Sequence, residues 1–361
     1  MKKTLFYVFA GLLVGAVAGW MVKHHSTSSG PQLVSFADAV SMAAPSVVNI
    51  YTTKVTLEPQ QLQSNDPLLN FFFNQQIQRY RQKRELSLGS GVIVHQQGFI
   101  LTNNHVIQDA EEILVLLYDG REALARVIGT DEETDLAVLK VDLPELQPIQ
   151  IGDLTQLRVG DPVLAIGNPY GFGQTVTAGI VSAMGRYGLN LNTYENFIQT
   201  DAAINVGSSG GALVNGMGQL VGINAAIYSQ SGGSQGIGLA IPMDIASKVL
   251  TDIIRHGEVI RGWLGLEVAQ LTPNLAKQLG LDQTNGVVIT NTYRQGPADQ
   301  AGLLQGDIII SIDHKMINNG QEGMLEVANL EPGKKIIVEV IRSNQTKTIP
   351  LTVGIRPSSN S

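Results

Sequence analysis

Between Ser46 and about Pro242 no stretch of the chain sustains a helical period. Short apolar runs follow one another instead, at Val47–Thr53, Ser90–His95, Phe99–Thr102, Ile113–Tyr118, Ala123–Asp131, Leu136–Val141, Pro162–Ile166, Val176–Ala183, Phe197–Thr200, Ala212–Val214, Leu220–Ile227 and Gly236–Ile241. Gly, Asn and Asp punctuate them, the residue types that turns between short strands require. A parallel sheet needs a crossover helix between strands, and the pattern offers none. About twelve short strands over about 200 residues predict a mainly β architecture of two packed β-barrels. The 39 glycines agree, since each would cost about 1 kcal/mol inside a helix.

The segments outside this region read differently. Thr4 to Val22 is a run of 19 residues without a charge, preceded by Lys2 and Lys3. As a helix it is about 28 Å long, close to the thickness of a bilayer core. The basic residues place the amino terminus in the cytoplasm and the rest of the chain outside. A retained single-pass anchor is expected, and Trp20 suits its outer interface. The alternative is a cleaved signal peptide, for which Ala16-Val17-Ala18 has the small-x-small form. Both readings export the remainder. Residues 1–25 are thus an anchor or leader, and 26–35 a polar linker.

Residues 36–257 make the β-rich domain. Glu58 to Glu85, rich in Gln and Asn with Phe71-Phe72-Phe73 at its centre, is expected to be a long loop. Ile241 to His256 is expected to be helical, with Pro242 in its first turn and Gly257 after its end. Residues 258–355 then form a small α+β domain, followed by a loose tail at 356–361. Strands are expected near Leu264–Val268, Gly286–Val288, Ile308–Ile312, Ile336–Ile341 and Lys347–Val353. Helices are expected near Pro273–Leu279, Pro297–Ala301 and Gln321–Ala328.

Several chemistries are excluded at once. The chain has no cysteine, hence no thiol nucleophile, cysteine-held zinc or disulfide. A net charge of −7 leaves no broad basic face for nucleic acid. There is no HExxH and no carboxylate–histidine cluster, so no metal site and no cofactor is expected.

Three short motifs in the β-rich domain remain, in the order His, Asp, Ser. ILTNNHVI places His105 just after a strand, ETDLAVLK places Asp135 at the opening of one, and NVGSSGGAL places Ser209 in a glycine-dense turn. Taken singly, each is an ordinary strand-end or turn residue. Together they supply what nucleophilic serine chemistry needs: an imidazole base, a carboxylate that fixes its tautomer, and backbone N–H groups for the oxyanion. The turn Gly207-Ser208-Ser209-Gly210-Gly211 can aim such amides, because glycine tolerates positive φ and close backbone approach.

TNNHVI, TDLAVLK, AIGNPYGFGQTVTAGIVSA, QTDAAIN and the GSSGGAL turn resemble segments of the HtrA/Deg family of serine proteases, a trypsin-like double β-barrel followed by PDZ modules. The likeness runs from Phe36 to Val353. It implies His105 as base, Asp135 as its orienter and Ser209 as nucleophile, with Gly207, Ser208 and Ser209 at the oxyanion hole. Ser208 stands where the family usually has Asn. The resemblance also implies a preference for small aliphatic residues before the cut bond, with Ile204 and Asn205 at the specificity pocket.

The small domain continues the likeness. Trp263-Leu264-Gly265-Leu266 resembles the carboxylate-binding loop of PDZ domains, and GPADQAGLLQGDIIISID resembles their signature. Met324 is the expected side chain of the facing groove wall. One anchor with one PDZ domain resembles the DegS-type members of the family. This implies an inner-membrane protease facing the periplasm and built as a homotrimer. Carboxyl-terminal peptides of misfolded outer-membrane proteins would regulate it, and a membrane anti-sigma factor would be its substrate. Arg186 matches the loop thought to sense the PDZ state. Two other readings stand beside this one. The first is a general quality-control protease, which the DPLLNFFF segment favours. The second is a non-catalytic PDZ scaffold, which the intact His105, Asp135 and Ser209 disfavour.

Overall fold

The computed structural model describes residues 35–60, 79–171, 173–227, 233–278, 280–281 and 285–357. Asp38–Ser361 forms one compact unit. A short helix, α1 (Ala37–Ala43), buries Ala39 and Ala43. A 3-10 turn holding Pro45 then hands the chain to the first strand.

Seven strands build the first sheet: β1 (Val47–Gln60), β2 (Arg79–Ile93), β3 (Phe99–Thr102), β4 (Glu112–Leu116), β5 (Glu122–Leu124), β6 (Arg126–Asp131) and β7 (Leu136–Lys140). They lie in the order β5-β4-β1-β2-β3-β7-β6, every pair antiparallel. Alternate residues turn inward, so Val48, Ile50, Ile93, Ile100, Val115 and Leu139 make one core. A one-turn helix, α2 (Asn104–Ile107), follows β3 and adds Val106 and Ile107 to that core.

Where two barrels were expected, the first seven strands run as a sheet from β5 to β6, and six further strands close on themselves as the second, barrel-shaped layer: β8 (Pro162–Gly167), β9 (Thr175–Arg186), β10 (Phe197–Thr200), β11 (Ala212–Asn215), β12 (Leu220–Ile227) and β13 (Gly238–Pro242). Their order is β10-β13-β12-β11-β8-β9. Small and branched side chains such as Val163, Ala165, Val181, Leu213 and Ala240 fill the interior. The mainly β reading with barrel-like sheets is therefore what the chain adopts.

Helix α3 (Met243–His256) runs close to the expected span. Ile245, Ala246, Val249 and Ile253 recur on its buried face. Asp244 in the first turn and Arg255 and His256 in the last oppose the helix dipole. Gly257 ends it in the left-handed region at φ 81, its N–H donating to Ile253 O.

The carboxy-terminal part opens with β14 (Gly262–Trp263), which pairs with the last strand, β21 (Gly354–Ile355). Between them lie β15 (Leu266–Gln270), α4 (Pro273–Gln278), β16 (Val287–Thr292), α5 (Pro297–Ala301), β17 (Ile308–Ile312), β18 (Lys315–Met316), α6 (Gly320–Asn329), β19 (Lys335–Arg342) and β20 (Gln345–Thr352). The main sheet runs β15-β16-β17-β19-β20 over a core of Leu264, Ile289, Ile309, Val338 and Val340. Asp307, 1% exposed, is held by both Nε and Nη2 of Arg342 at 2.6 Å.

The loop expected over Glu58–Glu85 is corrected at both ends. β1 continues to Gln60 and β2 begins at Arg79, in unbroken register from Val47↔Val92 to Gln60↔Arg79. Antiparallel pairing satisfies the backbone of such a ribbon whatever its side chains are, so a polar composition does not reveal it. Residues 61–78, with the phenylalanine triplet, lie outside the described residues, as does the apolar run Thr4 to Val22. Among the described residues no helix is long and apolar enough to cross a membrane.

Candidate active site

Asp135 sits between β6 and β7, at a positive φ of 58 that turns the chain sharply. Three groups of the segment after β3 hold it there. Asn104 N donates to Asp135 O at 3.1 Å, Asn103 Nδ2 donates to the same carbonyl at 2.9 Å, and His105 N donates to Asp135 Oδ1 at 2.9 Å. The carboxylate is thereby aimed at the ring, and His105 Nδ1 lies 2.7 Å from Asp135 Oδ2. A carboxylate only accepts, so in the neutral imidazole the proton of this contact sits on Nδ1 and Nε2 keeps its lone pair.

Ser209 reaches the same edge through the first sheet. Ser90 N donates to Ser209 O at 2.8 Å, and Thr102 Oγ1, three residues before His105, donates to Ser90 O at 2.7 Å. Gly210 has φ +82, and a Cβ there would fall 2.1 Å from Ser90 O and 2.3 Å from Thr102 Oγ1. Only glycine lets the turn come this close. The Ser209 hydroxyl makes no hydrogen bond with a described residue, and such contacts often tighten only when substrate is bound.

The amides of the turn divide into two sets. Ser208 N donates to Asn205 O, Gly210 N to Asn224 O and Gly211 N to Ser208 O, all at 2.8–3.0 Å. Gly207 N and Ser209 N have no acceptor among the described residues. Ser208 is thus corrected as an oxyanion-hole donor: its N–H is spent within the turn, and its Oγ folds back toward Asn205 N at 3.5 Å. The other two amides stay available.

Ile204 is 1% exposed and belongs to the core of the second barrel. Its Cδ1 lies against Gly238, where a Cβ would come within 2.9 Å of it. Asn205 Oδ1 accepts from Ser234 N at 3.0 Å. Arg186 is exposed, and its Nε donates to Gln199 Oε1 at 2.8 Å, from β9 to β10.

A second site lies in the carboxy-terminal part. Trp263, Leu264, Gly265, Leu266 and Met324 all line one cavity of 760 Å³ between the β14–β15 connection and α6. The amides of Leu264 and Gly265 have no acceptor among the described residues, and Gly265 takes φ 72. Free amides beside an apolar trough are what a peptide carboxylate and its last side chain require. Tyr187 and Gly188, from the segment after β9, line the same cavity.

Sequence reasoning missed the cluster that joins the two sites. Arg261 Nη2 lies 2.5 Å from Asp131 Oδ2, with the residues 9% and 6% exposed on the side chain. Arg261 and Arg356 both pair with Glu133, and both guanidiniums lie on the ring of Tyr194. Arg356 also donates to the Tyr194 hydroxyl. Tyr194 N donates to Glu133 O at 3.0 Å, and Thr134 Oγ1 donates to Asp131 Oδ2. Burial pushes the Tyr194 phenol above its usual range, against the pull of the two cations. Pairs such as Tyr194–Arg261 and Glu133–Arg356 are 67 and 223 positions apart, so no local pattern marks them. The same network holds the turn that ends at Asp135.

Both parts of the chain resemble known proteins. The sequence model of the trypsin-like peptidase domain matches residues 89–223, and that of the PDZ domain matches residues 262–353. The serine endoprotease DegS of Escherichia coli (strain K12) is 41% identical over 372 residues, covering 99% of each chain. The chain belongs to the HtrA family of serine endoproteases. A probable periplasmic, DegP-like HtrA relative from Pseudomonas fulva (strain 12-X) is 40% identical, spanning all of this chain and 77% of its own length. Among solved HtrA structures, the HtrA-type protease AlgW with decapeptide is 52% identical with a TM-score of 0.74, covering 90% of this chain and 99% of that one. The serine endoprotease from Yersinia pestis is 40% identical with a TM-score of 0.62.

Proposed function

We propose that the chain is a periplasmic serine endoprotease whose cleavage rate is set by peptide carboxyl termini bound in its PDZ groove. His105 Nε2 takes the hydroxyl proton of Ser209 as the oxygen attacks the scissile carbonyl. Asp135 keeps the imidazole in the required tautomer and stabilises the imidazolium. Gly207 N and Ser209 N donate to the oxyanion, each such donor being worth about 3 kcal/mol at the transition state. His105 then returns the proton to the leaving amine. A preference for small aliphatic side chains before the cut bond is assigned to the surface beside Asn205, with Ile204, whose Cδ1 fills the space against Gly238, as its buried support.

The observation that carries the regulatory reading is the shared groove. Tyr187 and Gly188 of the protease wall the cavity that the PDZ loop and Met324 also line. The same protease segment continues through Tyr194 to the Glu133 carbonyl, two residues before Asp135. A ligand in the groove therefore has a route to the catalytic carboxylate, and it acts by binding the cleaving arrangement better than the resting one. Arg186, adjacent to Tyr187, is assigned to the same regulatory segment.

The finer assignment follows the full-length likeness to DegS. It is a single-pass inner-membrane anchor at Thr4–Val22 and a homotrimer. The activating ligands are carboxyl-terminal peptides of outer-membrane proteins, and the substrate is a membrane anti-sigma factor. The DegP-like relatives support a second reading, a quality-control protease with broader substrates. Sequencing the amino terminus of the mature protein separates the two, since a start at Gly19 removes the anchor.

The test is cleavage of a reporter protein with and without added peptides, each made with a free and an amidated carboxyl terminus. Free-acid peptides are expected to raise the rate and amidated ones to leave it unchanged. An identical rate in all arms would remove the regulatory claim.

A further inference from the structure

Ser90 lies on β2 of the first sheet, away from the three motifs that carry the chemistry, and is 0% exposed. Its side chain nevertheless reaches across to the second barrel. Ser90 Oγ donates to Gly207 O at 2.7 Å and accepts from Asn168 N at 2.9 Å. Its own amide donates to Ser209 O at 2.8 Å, and its carbonyl accepts from Thr102 Oγ1. The N–H, C=O and hydroxyl of this buried serine are thus all engaged, two of the contacts going to the oxyanion turn itself.

The consequence lies in peptide planes. In a trans peptide the C=O and the following N–H point in opposite directions. Val206 O is held by Tyr170 N at 3.0 Å, which turns Gly207 N away from residue 170. Gly207 O is held by the Ser90 hydroxyl, which fixes the next plane and directs Ser208 N back to Asn205 O. Ser209 O is held by Ser90 N, on the far side of the two available amides. Asn168 opens the segment that supplies Tyr170 N, so the Ser90 hydroxyl joins the clamp on Val206 to the clamp on Gly207. A Cβ on Gly207 would meet Asn168 O at 2.4 Å, so only glycine lets this turn lie so close to the segment that Ser90 also holds.

We propose that the Ser90 hydroxyl is a positioning group for the oxyanion hole, holding Gly207 N and Ser209 N in the orientation that receives the transition-state oxygen. It touches neither substrate nor reacting atoms. Its contribution is specific to the transition state, because the oxygen it helps to seat bears full charge only there.

The proposal rests on Ser209 as nucleophile, so the experiment runs Ser90→Ala beside Ser209→Ala in the full chain. The readouts are kcat and KM for a fluorogenic peptide cleaved by the unsubstituted protein, the pH profile of kcat/KM, and inhibition by a peptide aldehyde. Removing one oxyanion donor outright lowers kcat about 10²- to 10³-fold, and a donor misplaced by about 1 Å loses up to about 10²-fold. Ser90→Ala is therefore expected to lower kcat by at least about tenfold. KM and the acidic limb of the pH profile should not move, and aldehyde affinity should fall in parallel with kcat. If Ser90→Ala does not fold, Ser90→Cys is used, since a thiol fills the site but donates weakly. Its kcat is expected to fall in the same way, with thermal stability near that of the parent.

Unchanged kcat in the folded variant, with only stability lowered, would reduce Ser90 to packing and overturn the proposal. Retained cleavage by Ser209→Ala would overturn the nucleophile assignment and this proposal with it. Loss of cleavage in Ser209→Ala with normal kcat in Ser90→Ala would sink only the positioning role.

Discussion

Asn319 Nδ2 donates to Tyr187 Oη at 3.1 Å, linking the helix that walls the PDZ groove to the protease segment that lies across it. The same Asn319 caps that helix, its Oδ1 accepting from Glu322 N at 2.9 Å. A single side chain thus both starts α6 and touches the protease. A neutral hydrogen bond at a partly exposed site is worth about 0.5–1.5 kcal/mol. Tyr187→Phe is expected to leave peptide affinity within about threefold, since the ring still lines the groove. The ratio of cleavage rates with and without peptide should shift. Calorimetric titration and a cleavage assay on the same preparation test this, and an unchanged ratio would make the contact passive.

Asp135→Asn keeps the shape of the turn but offers an amide in place of the acceptor that fixes the proton on His105 Nδ1. A drop in kcat of about 10³- to 10⁴-fold is expected with KM little changed. Steady-state kinetics decides it, and a loss below tenfold would mean that His105 is oriented by its backbone contacts alone.

The Arg261–Asp131 pair is nearly sealed from solvent, so removing one partner strands the other charge. Arg261→Ala is expected to destabilise the fold by about 3–5 kcal/mol, including the loss of its stacking on Tyr194. Arg261→Ala combined with Asp131→Ala should cost less than the sum of the two single changes, with a coupling of about 1–3 kcal/mol. Urea unfolding of the four proteins in the cycle measures this. Strict additivity would show that the ions contribute independently.

Two glycines of positive φ should behave oppositely. At Gly257 a Cβ would meet nothing within 4 Å, so Gly257→Ala bears only the left-handed penalty, about 1–2 kcal/mol, and leaves cleavage intact. At Gly210 the Cβ would strike Ser90 O and Thr102 Oγ1, so Gly210→Ala should abolish cleavage even where protein is recovered. Thermal melts and a peptide assay on both variants compare them directly. An active Gly210→Ala would show that the turn can move away from β2.

Much of this arrangement is legible in one sequence because it is local. Strand runs and turn residues expose the β-rich half. Helix α3 is readable from its 3.6-residue period and its terminal glycine, and Pro297–Ala301 and Ile308–Ile312 from their flanking turns. The contact of His105 with Asp135 is foreshadowed because each sits in a motif of its own. What escapes is non-local or belongs to the backbone. Ser208 looks like an oxyanion donor until the turn is seen to spend its N–H on Asn205. Arg261, Tyr194 and Arg356 carry no signature, because their meaning lies in residues brought together from four separate segments. The outer part of the β1–β2 ribbon escapes because pairing leaves no mark on a polar composition.

The pairing of β14 with β21 sets Gly262 beside Ile355, and Arg356 N donates to Arg261 O at 3.0 Å. The PDZ module therefore opens and shuts at one point, like a bead threaded through a single knot. No strand of the protease sheets is broken by its presence, and a chain prolonged beyond Ile355 would set out from where the module began. In such a layout modules can be gained or lost by splicing at one seam. Arg261 and Arg356 stand at that seam, so any exchange of module would also rewrite the contacts that reach the turn of Asp135.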